Sequence, residues 1–221
     1  MFRSIFSKLI ALTALAASTF AIAPQTRAED KAGAFDFYVL ALSWSPTFCS
    51  GERGQKSPQQ CGTDKKFSFI VHGLWPQNES GYPQSCASSE PRTVPDAVGR
   101  PYFDIMPSMG LIGHQWRKHG TCTGLSQKDY LEKIRSAYNK IKLPQDLTAL
   151  TTTGTFSAEM IEQKFTEINP GLTADSIAVN CEASKFEEVR ICMTKDLGFR
   201  PCTQVDRGGC KIKRITVPPA Q

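Results

Sequence analysis

The chain contains only three histidines, His72, His114 and His119. They fall in two short, dense segments, Phe69-Ile-Val-His72-Gly-Leu-Trp75-Pro76 and His114-Gln-Trp-Arg-Lys118-His119-Gly-Thr-Cys122. Imidazole is the side chain best suited to exchange protons near neutrality. A single histidine is an ordinary structural residue; all three set beside Trp, Gly and Lys point to acid–base work. Two imidazoles can divide a reaction between them, one starting neutral and taking a proton, the other starting charged and giving one. Such a pair works best at mildly acidic pH, between the two titrations.

The second segment gains definition from helical spacing. At about 100° per residue, His114 and Lys118 share one stripe of a helix and Gln115 and His119 the next, within an arc of roughly 140°. Trp116 points away from that arc and reads as a core residue. Two imidazoles, an ammonium and an amide on one face suit a bound anion with a proton carrier at its edge. A metal site fits less well. Zincin motifs separate two histidines by four residues with a glutamate between them, whereas His114 and His119 are five apart with no acid inside the segment. No C-x₂-C pair suggests zinc, and no Gly-x-Ser-x-Gly elbow suggests a serine nucleophile. No metal and no cofactor is therefore expected.

These segments need a frame. Phe35 to Trp44 is nearly continuous in apolar residues, as a buried central strand would be. Phe67 to Val71 alternates as a second strand and would release His72 at its exit, with Gly73 permitting a change of direction. Residues 50–65 read as a surface loop closed by Cys49 and Cys61, and 76–107 as a long irregular connection rich in Pro, Ser and Gly. A helix is expected over Met109 to His119, stopping at Gly120. Ser126 caps a second helix carrying Tyr130, Leu131, Ile134, Ala137, Tyr138 and Ile141; Ser157 caps a third with Ile161, Phe165 and Ile168 inward. Strand-like segments follow near 175–180, 186–194 and 211–217. The pattern predicts an α+β fold with a central antiparallel sheet flanked by helices.

Residues 1–28 read as a secretory signal peptide: Arg3 and Lys8, an uncharged apolar run from Leu9 to Ala23, then Ala28 at a cleavage site. The run is short for a membrane span. Residues 29–221 form the expected single domain, of a length that can bury a real core. Removal of residues 1–28 takes away Arg3, Lys8 and Arg27, so the formal charge drops from +5 to +2. That is too mild to imply a polyanionic partner from bulk charge, so any such partner must be drawn by a local site. The eight cysteines, 49, 61, 86, 122, 181, 192, 202 and 210, read as a disulfide framework in an oxidising compartment, secreted or periplasmic. Their spacing leaves roughly a hundred pairings open.

The His72-Gly-Leu-Trp-Pro and His-x-Trp-x-Lys-His-Gly-Thr-Cys segments, in this order, resemble the two catalytic segments of the T2 ribonucleases. Leu42-Ser-Trp44 followed by Cys49 resembles the start of the same family, and the likeness extends over most of residues 35–217. The resemblance implies an α+β fold and endonucleolytic cleavage of single-stranded RNA through 2′,3′-cyclic phosphate ends, with low base specificity. It implies His119 as general base for the 2′-hydroxyl, His72 as general acid for the departing 5′-oxygen, and Lys118 as the cation facing the phosphorane. His114 then holds the phosphate and Trp75 stacks a base. RNA is the implied partner; DNA, which lacks the internal nucleophile, would not be cleaved, and a monomer without membrane attachment is expected.

Two positions depart from the family. Gln115 stands where Glu is common and keeps hydrogen bonding without charge, so a substrate-positioning role is expected. Gln77 likewise replaces a frequent acid, which leaves the base preference open. The alternative, a catalytically impaired protein of this fold that binds RNA or another partner, would expect loss of a catalytic histidine or of the lysine. All are present. Bridges are expected between Cys86 and Cys122, and in the last third as Cys181–Cys210 around Cys192–Cys202.

Overall fold

The computed structural model describes residues 1, 31–62 and 66–220; the signal peptide expected over 1–28 lies, Met1 apart, outside the described residues. Strand β1 (Phe37–Trp44) forms the middle of the sheet. It pairs antiparallel with β2 (Phe69–Gln77) on one side and with β5 (Lys185–Met193) on the other. Strand β4 (Ile177–Glu182) joins β5, and the short β3 (Gly154–Phe156) and β6 (Ile215–Val217) complete six strands. The sheet is mixed, not wholly antiparallel, because β6 meets β5 in a parallel pair at Lys185 and Thr216. The long connection from Thr194 to Arg214 permits this by giving the chain room to cross over.

Helices α1 (Met109–Lys118), α2 (Gln127–Asn139) and α3 (Ala158–Ile168) follow the expected order. Each begins at a serine whose hydroxyl accepts a backbone N–H: Ser108 from Leu111 at 3.1 Å, Ser126 from Asp129 at 3.1 Å, Ser157 from Met160 at 3.2 Å. A cap of this kind contributes about 1 kcal/mol. The apolar stripes of the helices bury Trp116, Tyr130, Ile134, Ile161 and Phe165 against Leu40, Leu42, Trp44, Val71 and Leu74 of the sheet. A buried side chain of this size contributes roughly 1.5–3 kcal/mol. The continuous apolar run of β1 is explained by a second layer on its other face, where Phe37 and Val39 meet Ala178, Cys192, Cys202 and Val205.

The long connection before α1, expected to be irregular, contains helical turns at Asp96–Gly99 and Arg100–Tyr102 and is tied down elsewhere. The Trp116 indole N–H donates to the Pro91 carbonyl at 2.8 Å, and the Gln127 amide donates to Pro91 and Thr93 carbonyls. Four disulfides close the fold: Cys49–Cys61, Cys86–Cys122, Cys181–Cys210 and Cys192–Cys202. The last two nest, with the inner bridge fastening the end of β5.

Several boundaries differ from the sequence expectation. Residues 50–65 contain two short helical turns, Glu52–Gln55 and Pro58–Cys61, and only Ile215–Val217 of the last stretch is strand. His119 is the C-terminal flank of α1 and not its last turn. Gly120 follows for a steric reason, without the left-handed backbone expected of a helix stop. Its φ is not positive, but a methyl group there would collide with the rings of Trp116 and Tyr130.

Candidate active site

Strand β2 does not end at Val71, as its alternation suggested, but continues through Trp75 to Gln77. In its pairing with β1, Ala41 faces Gly73 and Leu42 faces Val71, so His72 is the unpaired extra residue of a β-bulge. A bulge bends its strand and re-aims side chains. Residues three apart in a regular strand point to opposite faces; across this bulge, Val71 and Leu74 both enter the main core while His72 and Trp75 come together on the other face. Their ring centroids lie 5.2 Å apart, edge to face.

Trp75 is the hub of the site. Its indole is stacked on His119, with centroids 5.2 Å apart and planes inclined by 25°. The Arg190 guanidinium lies 5.3 Å from the ring centroid. The indole N–H donates to Gln115 Oε1 at 2.8 Å. Gly73 makes this closeness possible, because a Cβ there would occupy the space of both the Gln115 amide and the Trp75 nitrogen.

The four α1 residues expected on one arc divide by depth. His114 is exposed and Lys118 half-buried, while Gln115 and His119 are buried at 1% and 4% exposure. Gln115 therefore fixes Trp75 with its carbonyl oxygen, a contact that the helical projection did not foresee. Trp116 is a core residue, as its spacing implied.

His119 and His72 have unlike surroundings. Burial pushes His119 down to about 3, helped by the charges of Lys118, His72 and His114. Its Nδ1 is buried without a hydrogen-bond partner among the described residues. The side chain of His72 is 40% exposed, and its Nδ1 lies 2.6 Å from a carboxylate oxygen of Glu188. His114 is also lowered, by partial burial first and then by Lys118, His72 and Arg117.

Glu188, Arg190 and Tyr82 were not singled out from the sequence. Glu188 is 3% exposed on β5, and Tyr82 lies 6.4 Å from His119. The available signal was the charged Glu187-Glu188-x-Arg190 inside a run that is otherwise apolar from Phe186 to Met193. Here too a bulge operates: Asn180 faces Glu188 and Cys181 faces Phe186, leaving Glu187 unpaired. Phe186 and Val189 thus share the core, and Glu188 is turned toward His72.

The rings border a cleft of about 300 Å³ that also includes Gln77, Lys118 and Arg190. His72 and His114 further border a groove of about 1220 Å³ that continues past Phe103 and Leu111 to Arg53 and Lys56. Both spaces open onto the same imidazoles, which suits an extended substrate threaded past a reacting group. Among the described residues, no group of three or more His, Cys, Asp or Glu could hold a metal ion. No helix there is long and apolar enough to cross a membrane.

A model of the ribonuclease T2 family matches residues 35–202. A protein described as a ribonuclease from Aeromonas hydrophila is 40% identical over 122 residues, 55% of this chain and 53% of that one. Ribonuclease 3 of Arabidopsis thaliana is 32% identical over 209 residues, covering 83% of this chain and 90% of its own. An RNase-related protein from Calystegia sepium has the same fold, with a TM-score of 0.67 over 85% of this chain and 98% of that one at 19% identity. The chain spans about half the length of the bacterial curated relatives it matches.

Proposed function

Since the chain belongs to the ribonuclease T2 family, we propose that it is an endoribonuclease that cleaves single-stranded RNA by transesterification, with His119 as base and His72 as acid. The observation that carries this reading is the pair of imidazoles mounted on one indole, one held neutral by burial and the other beside a carboxylate.

In the first step His119 takes the proton of the 2′-hydroxyl, and the 2′-oxygen attacks the adjacent phosphorus. His72 gives its proton to the 5′-oxygen as the P–O bond breaks, which leaves a 2′,3′-cyclic phosphate and a free 5′-hydroxyl. The low affinity of His119 for protons keeps it neutral at working pH. Once protonated beside Lys118, it is an effective donor for any later hydrolysis of the cyclic ester. Lys118 would meet the charge on the non-bridging oxygens, where a pre-aimed cation is most effective, and exposed His114 would help to hold the phosphate. The remaining exposed surface of Trp75, with Tyr82 at 49% exposure, offers a base a stacking edge. Gln115 acts through Trp75.

The disulfides favour an extracytoplasmic site of action, reached through the proposed signal peptide at 1–28. The enzyme acts on RNA and not DNA, as a monomer, without a metal. Incubating purified protein with RNA in EDTA and identifying the new termini tests the reading. Ends bearing 2′,3′-cyclic phosphate are expected; abolition by the chelator, or cleavage of DNA, would refute it.

A further inference from the structure

We infer that Glu188 is the positioning residue for His72: its buried carboxylate accepts the Nδ1 proton of the imidazole, so that Nε2 carries the transferable proton into the cleft. The inference rests on the acid role proposed for His72. Glu188 Oε2 lies 2.6 Å from His72 Nδ1 and accepts from Ser43 Oγ at 3.2 Å, while Oε1 accepts from Arg190 Nε at 2.9 Å. Both carboxylate oxygens are engaged from neighbouring strands, since Ser43 on β1 is the register partner of Glu188. The acid is thus held on a rigid sheet, and two bulges, at His72 and at Glu187, bring it face to face with the ring.

A buried carboxylate needs compensation. Burial pushes Glu188 up, but the His72 hydrogen bond and charge and the Arg190 guanidinium more than offset it, leaving its proton affinity below the ordinary range. It is therefore held as an anion at neutral pH. The ring bonded to it has one nitrogen committed to the sheet and one left for the substrate. Gln115, the helix position where the resembling family commonly has an acid, contributes no charge. Among the described residues, Glu188 is the one carboxylate hydrogen-bonded to either catalytic imidazole.

Other groups also act on His72. The spaces that His72 borders also hold Arg190 and half-buried Glu187 of β5, Trp75 of β2, His114 and Lys118 of α1, and His119 at the C-terminal flank of that helix.

The test compares Glu188→Gln with the parent on two substrates, a dinucleoside monophosphate and a nucleoside 3′-(4-nitrophenyl phosphate). The aryl leaving group departs without protonation. In Glu188→Gln the alkaline limb of kcat/KM for the dinucleotide should move down by about one pH unit. Its rate at neutral pH should fall by roughly tenfold, while aryl ester cleavage stays close to parental. An unmoved alkaline limb, or an equal loss on both substrates, overturns the inference. His72→Ala is the reference. If it cleaves the dinucleotide normally, the acid assignment fails as a whole; if it loses only dinucleotide cleavage while Glu188→Gln is unaffected, the Glu188 role alone fails. Should Glu188→Gln not fold, nitrogen-15 spectra of the parent's imidazoles decide the matter. Neutral His72 must carry its proton on Nδ1, and finding it on Nε2 overturns the inference.

Discussion

Replacing Gln115 by Glu places a carboxylate against the two side chains that matter most for His119. Gln115 is 1% exposed and its Oε1 accepts from the Trp75 indole, which stacks on His119. The new anion would keep the Trp75 bond and lie one helical turn from His119, about 6 Å away. At an effective dielectric near 20, a charge at that distance favours the imidazolium by about 3 kcal/mol, or roughly two units of pH. Burial resists ionisation of the new carboxyl, so a net shift of about one unit is expected. His119 now sits at about 3; where the new carboxyl is ionised, the imidazole should take up its proton at higher pH than in the parent, so the acid limb of kcat should extend upward. Stability supplies an independent check of sign. A carboxyl whose proton affinity is raised in the fold costs stability as pH rises through its unfolded titration near ~4.3, and costs none below it. The variant should match the parent in melting temperature near pH ~4 and fall behind at neutrality. Measuring kcat at saturating dinucleotide from pH ~3 to ~8 isolates the electrostatic effect from weaker binding of a negative substrate. A limb that moves down, or does not move, would refute the reasoning and with it the coupling of residue 115 to His119.

Three further outcomes are expected. His72→Ala and His119→Ala should each lower kcat by at least ~10²-fold; near-parental turnover of a dinucleotide by either variant would remove it from the mechanism. Trp75→Phe, which keeps a ring but loses the Gln115 hydrogen bond, should lower kcat more than it raises KM, whereas Trp75→Ala should also raise KM by the roughly 1–3 kcal/mol of a lost stacking contact. A rise in KM alone for both would make Trp75 a base platform and nothing more. Finally, His119 stays neutral in the fold down to about 3 while an unfolded histidine protonates near ~6.5. Stability is therefore full above ~6.5 and falls with pH below it, by about 2–3 kcal/mol between pH ~7 and ~4.5. His119→Asn should remove that part of the slope in urea titrations, and an unchanged slope would mean that the ring is not held neutral.

The sequence made helix α1 and the residues gathered on it legible because helical period and residue type coincide there. Ser126 and Ser157 cap helices at the places their spacing implied, and Trp116 lies in the core as its stripe required. What could not be read arises from the sheet. Strand patterning assumes a period of two, and a bulge inverts the phase without any marker in composition. Val71 and Leu74 contradict each other as strand residues until His72 is removed from the count, and Phe186 and Val189 do so until Glu187 is. Glu188 was hidden for this reason, since a charged residue inside a strand run is ordinarily assigned to solvent. The Gln115–Trp75 bond was hidden differently: it joins two segments whose approach is set by the missing side chain of Gly73.

The Cys86–Cys122 bridge ties the surroundings of His119 to the redox state of the medium. It fastens the turn behind His119 to the long connection, where the Ser85 N–H also donates to the Lys118 carbonyl at 2.8 Å. In a cytosol buffered by glutathione the two thiols stay reduced, and the end of α1 is left without its covalent tie. A reduced copy of the chain would thus keep the backbone hydrogen bond from Ser85 but lose the covalent part of that anchor. Oxidation supplies that tie, so part of what fixes the approach of His119 to Trp75 is a bond that only oxidising surroundings make.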